Sequence, residues 1–162
     1  MPTDSAAVRD LIDRAEIEAL IKLYFTAVDR KRIDRWDEVF APDGRLWMGG
    51  QLVRGEGISG MALPLDAIQV PGTPVGATHA LHQSAIDLEG DTAKGETYAV
   101  SYLVLADPQR VLVRGLRYLD RFVRLPIGWR LQERWHNLDW MYECPAIHAV
   151  PYVDRMKLEE LA

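Results

Sequence analysis

Four long stretches in the second half of the chain, residues 78–88, 92–106, 110–123 and 129–142, alternate bulky apolar side chains with polar ones. Only Glu89-Gly90-Asp91, Asp107-Pro108 and Pro126-Ile127-Gly128 separate them. Alternation bounded by such turn residues is the pattern of a β-strand. Breaks this short require antiparallel neighbours, because a parallel return needs a crossover of about a dozen residues or more. This half of the chain therefore reads as an antiparallel meander.

The first half reads differently. Ile17, Leu20, Ile21, Tyr24, Phe25 and Val28 fall at helical spacing and predict a helix from near Ser5 to about Arg30. A short second helix follows, with Asp34 as its expected N-cap and Trp36, Val39 and Phe40 turned to the core. Ala41-Pro42-Asp43-Gly44 is expected to end it as a turn. Residues 45–48 and 51–54 flank Gly49-Gly50 as a hairpin. The Gly- and Pro-rich stretch 55–76 suits a lid or entrance loop, with a helical turn near residues 58–63. A final helical turn is expected at 156–161. Helices followed by a curled antiparallel sheet make one α+β domain across residues 1–162, with 143–162 as a tail. A curved sheet closed by a helix leaves a cone able to hold a ligand.

Composition narrows the function classes. The chain has 162 residues, 48% hydrophobic and 27% charged, which is enough to bury a core without staples. Its net charge of −5 and the absence of a long Lys/Arg cluster argue against a nucleic-acid partner. No apolar run approaches the roughly 20 residues of a membrane span. The single cysteine, Cys144, suits a reducing compartment. With no targeting signal at the N-terminus, the expected location is the cytoplasm. His79 and His82 are spaced for opposite strand faces, and no carboxylate or Cys completes a metal set. Neither a phosphate loop, a nucleophile elbow nor a dinucleotide fingerprint is present. Neither metal nor cofactor is expected.

The strand faces mix apolar bulk with polar heads. Arg134, His136, Leu138 and Trp140 share one face of the last strand, and Trp129, Leu131 and Trp135 the other. Leu112, Leu116, Tyr118 and Phe122 go together, as do Tyr98, Val100, Tyr102 and Val104. A purely structural core has little use for so many polar heads, since each needs a partner once buried. Asp29 lies about 40° around the helix from Phe25, at the edge of the apolar arc, where a carboxylate can reach a pocket. The ordinary alternatives are a surface acid beside Arg30–Arg32 for Asp29 and a core histidine for His79. Tyr24, Tyr102, Tyr118 and Trp47 are equally readable as packing aromatics.

Three segments carry a resemblance: "IEALIKLYFTAVDRKRIDRWDEVFAPDG", "THALHQSAIDLEGDTAKGETY" and "RYLDRFVRLPIGWRLQERWHNLDW". In this order they resemble the SnoaL-like branch of the NTF2-like superfamily, which includes scytalone dehydratase, bile-acid 7α-dehydratase, a hexachlorocyclohexane dehydrochlorinase, ketosteroid isomerase and polyketide cyclases. The resemblance implies a cone-shaped fold, with Asp29 and His79 as the helix aspartate and strand histidine of the dehydratase and dehydrochlorinase pattern. Tyr24 stands where the bile-acid dehydratase pattern has tyrosine and the dehydrochlorinase has lysine, which leans toward dehydration. Arg134 matches a last-strand arginine of the pocket. Gln83 departs from the pattern, in which many relatives carry asparagine.

The activity this implies is a cofactor-independent lyase. His79 would be the general base, with Asp29 fixing its tautomer and Tyr24 assisting. Arg134, Tyr118, His136, Tyr102 and Trp47 would bind a small hydrophobic, aromatic or steroid-like hydroxylated carbonyl compound. Two rivals stay open: an isomerase or cyclase with the same base, and a ligand-binding or assembly domain without chemistry. Relatives with the His–Asp pair are often trimers, and others dimers. A homo-oligomer is expected, the trimer favoured, with Trp129, Leu131 and Trp135 lining an apolar outer face.

Overall fold

The computed structural model describes residues 4–55, 70–72, 74–106, 110–146, 148 and 150–160. The helical turn expected near residues 58–63 lies outside them, as does most of the expected lid. Helix α1 (Asp4–Asp29) buries Ile17, Leu20, Ile21, Tyr24 and Phe25, the arc that the 3.6-residue spacing marks out. One turn further back, Asp13 accepts hydrogen bonds from Arg124 and from Trp129 Nε1, the latter at 3.3 Å, and so pins the helix to the sheet. The bond from Arg124 outweighs burial and holds the Asp13 carboxyl below its ordinary range.

The C-terminus of α1 stops abruptly. Lys31 takes a left-handed conformation (φ 54), and the N–H groups of Lys31 and Arg32 return to the carbonyls of Val28 and Ala27. This double return satisfies the last carbonyls and leaves Asp29 on the final helical turn. Asp34 is not an N-cap. Its carboxylate is held by Arg32 at 2.7–2.8 Å, and a 3-10 turn (Ile33–Arg35) leads into α2 (Trp36–Val39), which has no side-chain cap.

Residues 41–44 are not a free turn either. They belong to β1 (Phe40–Met48), whose pairing with the last strand is irregular between Phe40 and Arg45. A Cβ at Gly44 would stand 2.8 Å from the Leu131 carbonyl oxygen, so the strand can close here only on glycine. The Gly49-Gly50 hairpin is as expected: both residues have positive φ, and β2 (Gln51–Arg54) pairs back on β1. The meander follows as β3 (Pro74–Glu89), β4 (Thr92–Leu105), β5 (Arg110–Leu125) and β6 (Gly128–Pro145), antiparallel throughout. The sheet order is β2-β1-β6-β5-β4-β3, with β1 parallel to β6.

Two bulges in β6 overturn the simple alternation. Phe122 pairs with Leu131 and Arg121 with Glu133, so Gln132 is extra; Leu116 pairs with Leu138 and Gly115 with Trp140, so Asp139 is extra. Each bulge reverses which side chains face inward. Trp129 and Leu131 therefore lie in the core, 2% and 0% exposed, and do not line an outer face. Trp140 points outward, lies over Gly115 and stacks on Tyr142.

The inner face of β4 carries Thr97, Ala99, Ser101 and Leu103, all buried, while Tyr98 and Tyr102 are on the outer face. The tail forms two 3-10 turns (Tyr152–Asp154 and Leu158–Glu160) in place of one helical turn. Among the described residues, no helix is long and apolar enough to cross a membrane.

Candidate functional site

Asp29 and His79 meet where the end of α1 crosses β3. Asp29 Oδ2 accepts the backbone N–H of His79 at 2.8 Å, and Oδ1 lies 2.6 Å from His79 Nδ1. The His79 side chain is 7% exposed and that of Asp29 23%. One carboxylate thus grips both the main chain and the ring of a single residue. That fixes the imidazole plane; a carboxylate can only accept here, so in the neutral ring the proton belongs on Nδ1 and the lone pair on Nε2.

An aromatic floor lies beneath this pair. The Phe25 ring is 5.1 Å from the His79 ring and 5.0 Å, edge-on, from Tyr118. Tyr24 lies next to both, and the Arg134 guanidinium stacks on Tyr24 at 4.1 Å and on Tyr118 at 4.9 Å. Burial pushes the Tyr24 hydroxyl up to about 12 and that of Tyr118 well above the ordinary phenol value, so both stay protonated and can donate.

Arg134 is fully buried and makes a two-pronged ion pair with Asp120 on β5, at 2.8 and 2.7 Å. Burial opposes its charge, but the charge and hydrogen bonds of Asp120 more than offset this. The partner is therefore neither Glu133 nor Asp139, the two acids closest in sequence. His136 is 7% exposed and stands 5.2 Å from Tyr118. Burial, then the nearby Arg114 charge, lowers its pKa to about 3. It is neutral and too weak a base to take a proton efficiently near pH 7.

The structure thus brings Asp29, His79, Tyr24, Tyr118, Arg134 and His136 together. It separates two others from them. Tyr102 is 41% exposed on the outer face of β4, since the inward positions of that strand are the odd-numbered ones from Thr97 to Leu105. Trp47 pairs with Trp135 on the outer side of β1, where Leu46 and Met48 take the inward places. His82 and Gln83 are exposed at an irregularity of β3 between Leu81 and Ser84, and they leave the bonding of His79 to Asp29. Four buried polar residues of the inner face carry no expectation from the sequence: Thr97, Ser101, Arg114 and Asp120. Asp120 and Arg114 share the inward parity of Tyr118, which was the available signal.

Outside the pair, an open cleft of about 540 Å³ runs between the end of α1 and the tail, with Asp29, Thr78, Arg155 and Lys157 on its walls. Arg155 spans it, donating to the Val150 and Ala77 carbonyls at 3.0 and 2.8 Å and to Thr78 Oγ1 at 3.4 Å.

A helix laid on a curled six-stranded sheet, with an Asp–His pair at the helix end, defines an NTF2-like α+β domain. The chain belongs to the SnoaL-like domain family, whose pattern matches residues 9–135. An uncharacterized protein of Mycobacterium tuberculosis is 36% identical over 134 residues, covering 79% of this chain and 86% of its own. Among solved structures, a hexachlorocyclohexane dehydrochlorinase superposes with a TM-score of 0.73 at 16% identity, covering 90% of this chain and 97% of its own. A scytalone dehydratase-like protein of Novosphingobium aromaticivorans gives 0.67 at 15%, covering 91% and 97%. An NTF2-like protein with a cystatin-like fold from the same species gives 0.64 at 25%, covering 83% and 87%.

Proposed function

We propose that the protein is a lyase of the dehydratase type, acting on a small, largely hydrophobic cyclic carbonyl compound that carries a hydroxyl group β to the carbonyl. The observation that carries this reading is the double hold of Asp29 on His79. It presets an imidazole with a free Nε2 beside an aromatic floor, the arrangement a general base needs. Nε2 takes the proton from the carbon next to the carbonyl, and Asp29 stabilises the imidazolium. The same proton then goes to the departing hydroxyl. Water leaves, a carbon–carbon double bond forms, and His79 returns to its neutral state. Tyr24 and Tyr118, kept protonated by burial, are the donors for the carbonyl oxygen as charge develops on it. The balance of this reaction calls for no cofactor. The dehydrochlorinase and dehydratase-like names of the structural neighbours support the elimination class.

The working protein is a homo-oligomer in this reading. Tyr98, Tyr102, Trp140 and Tyr142 are 36–55% exposed on the outer side of β4 and β6, an aromatic surface that a second copy would cover. Light scattering that finds a monomer at micromolar concentration removes this part.

The elimination itself is tested by mass spectrometry on a panel of β-hydroxy cyclic ketones. The expected product is lighter than the substrate by one water. A product of unchanged mass with a shifted double bond would instead make the protein an isomerase. Unchanged substrates bound with equal affinity by wild type and His79→Ala would make it a binding domain.

A further inference from the structure

The fold joins two basic stretches from opposite ends of the chain. Arg30 and Arg32 follow the last turn of α1, and Arg155 and Lys157 come from the tail, yet all four line the same open cleft of about 540 Å³. Its acids are Glu159 and Asp29, and both oxygens of Asp29 are taken up by His79. Arg30 and Arg32 suit the negative end of a helix and by themselves call for nothing more. Arg32 is held by Asp34, and Arg30 and Lys157 have contacts of their own.

Arg155 is different. Its Nε donates to the Val150 carbonyl at 3.0 Å, and its Nη1 to the Ala77 carbonyl at 2.8 Å and to Thr78 Oγ1 at 3.4 Å. All three acceptors are neutral, and no carboxylate pairs with Arg155 among the described residues. Nη2 lies over Gly76, where a Cβ would stand 2.7 Å from it, so the bare glycine lets the guanidinium rest against β3. A guanidinium has five N–H groups, and these bonds use those of Nε and Nη1. The N–H groups of Nη2 remain to be given. The exposed Thr78 hydroxyl accepts from Nη1, which leaves its own proton for another acceptor.

A cation fixed in place by neutral oxygens, with spare donors beside a spare hydroxyl, is the complement of an oxyanion, and the arginine fork matches phosphate. The cleft is far larger than an inorganic ion needs. Its volume falls in the range of small-molecule sites, roughly 300–1,000 Å³.

We propose that this cleft is a second ligand site, outside the cone, which binds a small organic phosphate. Arg155 Nη2 and the Thr78 hydroxyl hold the phosphate oxygens, and Ala77 and Met156 on the same walls flank the organic part. The site is independent of the reading of His79 as a base. It borders Asp29, which holds His79, and Thr78, which precedes it.

The test is a binding measurement and needs no turnover. Calorimetric titration at one fixed ionic strength compares phenyl phosphate, phenol and inorganic phosphate on the full-length wild type and on Arg155→Gln, Thr78→Val and His79→Ala. Wild type is expected to bind phenyl phosphate about tenfold or more tightly than phenol, as a charge-assisted contact requires. Inorganic phosphate should bind more weakly than phenyl phosphate and compete with it. Arg155→Gln should weaken phenyl phosphate about tenfold, and Thr78→Val several-fold. His79→Ala should leave its affinity unchanged, so the site and the lyase reading stand or fall separately.

No binding of phenyl phosphate at millimolar concentration, or binding no tighter than that of phenol, overturns the proposal. Undiminished affinity in folded Arg155→Gln also overturns it, because the phosphate then sits elsewhere. Inorganic phosphate binding as tightly as phenyl phosphate removes the organic ligand. If Arg155→Gln does not fold, unaltered affinity in Thr78→Val is the overturning result.

Discussion

Asp29 spends both of its carboxylate oxygens on one residue, one on the backbone N–H of His79 and the other on its ring Nδ1. A side chain held only through its ring can pivot about that bond. A carboxylate tied to the backbone N–H of the same residue cannot swing away from the ring, so its second oxygen stays at Nδ1. The pair is therefore a rigid unit built from the last turn of α1 and the middle of β3.

Two groups acting as one unit should be non-additive. His79→Ala is expected to lower turnover by about 10²–10⁴-fold, the usual worth of a positioned base. Asp29→Asn should also lower it, and the double variant should be hardly worse than the worse single one. His82→Ala, at an exposed outward position, should leave turnover largely intact. Steady-state kinetics on the four variants checks this. Multiplicative losses in the double variant would show two independent groups.

Arg155 is expected to act as a positioning residue from the tail. It holds the Ala77 carbonyl and the Thr78 hydroxyl, immediately before His79. Arg155→Ala should cost about 1–3 kcal/mol in denaturant unfolding. It should also speed hydrogen exchange at the His79 amide, and Arg155→Lys should restore part of that protection. An unchanged exchange rate in Arg155→Ala would show that the tail plays no part in holding β3.

The Arg134–Asp120 pair should be costly to break and cheap to replace. Asp120→Ala leaves a guanidinium buried without its counter-charge, which is worth about 3–5 kcal/mol. Asp120→Leu with Arg134→Met removes both charges and should recover most of that loss. Urea titration of the three proteins decides it. A double variant as unstable as Asp120→Ala would mean that the stacking of Arg134 on Tyr24 and Tyr118 matters more than the charge.

His136 should make the protein acid-sensitive. In the unfolded chain an imidazole takes up a proton below about 6.5, whereas folded His136 does so only near about 3. Between these values the unfolded chain binds the extra proton, so stability is full above about 6.5 and falls as the pH drops toward 3. The slope contributed approaches about 1.4 kcal/mol per pH unit. Unfolding free energies at pH 7 and pH 5 should differ less in His136→Gln than in wild type. Equal differences would mean that His136 is not held neutral.

Much of this was legible because the residues concerned follow simple periods. The arc from Ile17 to Phe25, the glycine hairpin and the β3–β6 meander rest on spacing and turn chemistry alone, and the edge position of Asp29 follows from the helical repeat. The Asp29–His79 assignment came from the family resemblance, and the structure puts the two in contact.

What was misread has one physical origin. Alternation tells which side chains share a face but not which face is inside, and a bulge resets the count. Alternation puts Tyr102 on one face with Tyr98, and that face is the outer one. Trp129, Leu131 and Trp140 changed sides at Gln132 and Asp139, extra residues that no local composition marks. A lone acid in a strand such as Asp120 has the look of a surface residue until its partner across the sheet, Arg134, is known.

The parallel pairing of β1 with β6 governs the order in which the chain can assemble. Leu46 and Met48 find their sheet neighbours at Arg134 and His136, near the far end of the sequence. As the chain leaves the ribosome, α1 and the β1–β2 hairpin emerge first but have no sheet edge to join until the last strand is made. The meander can zip up locally from one turn to the next, whereas closing the cone means bridging most of the chain. Such non-local closure is slow. Until then the apolar side chains of the hairpin stay uncovered, which makes this the stage at which the nascent protein is most exposed to aggregation.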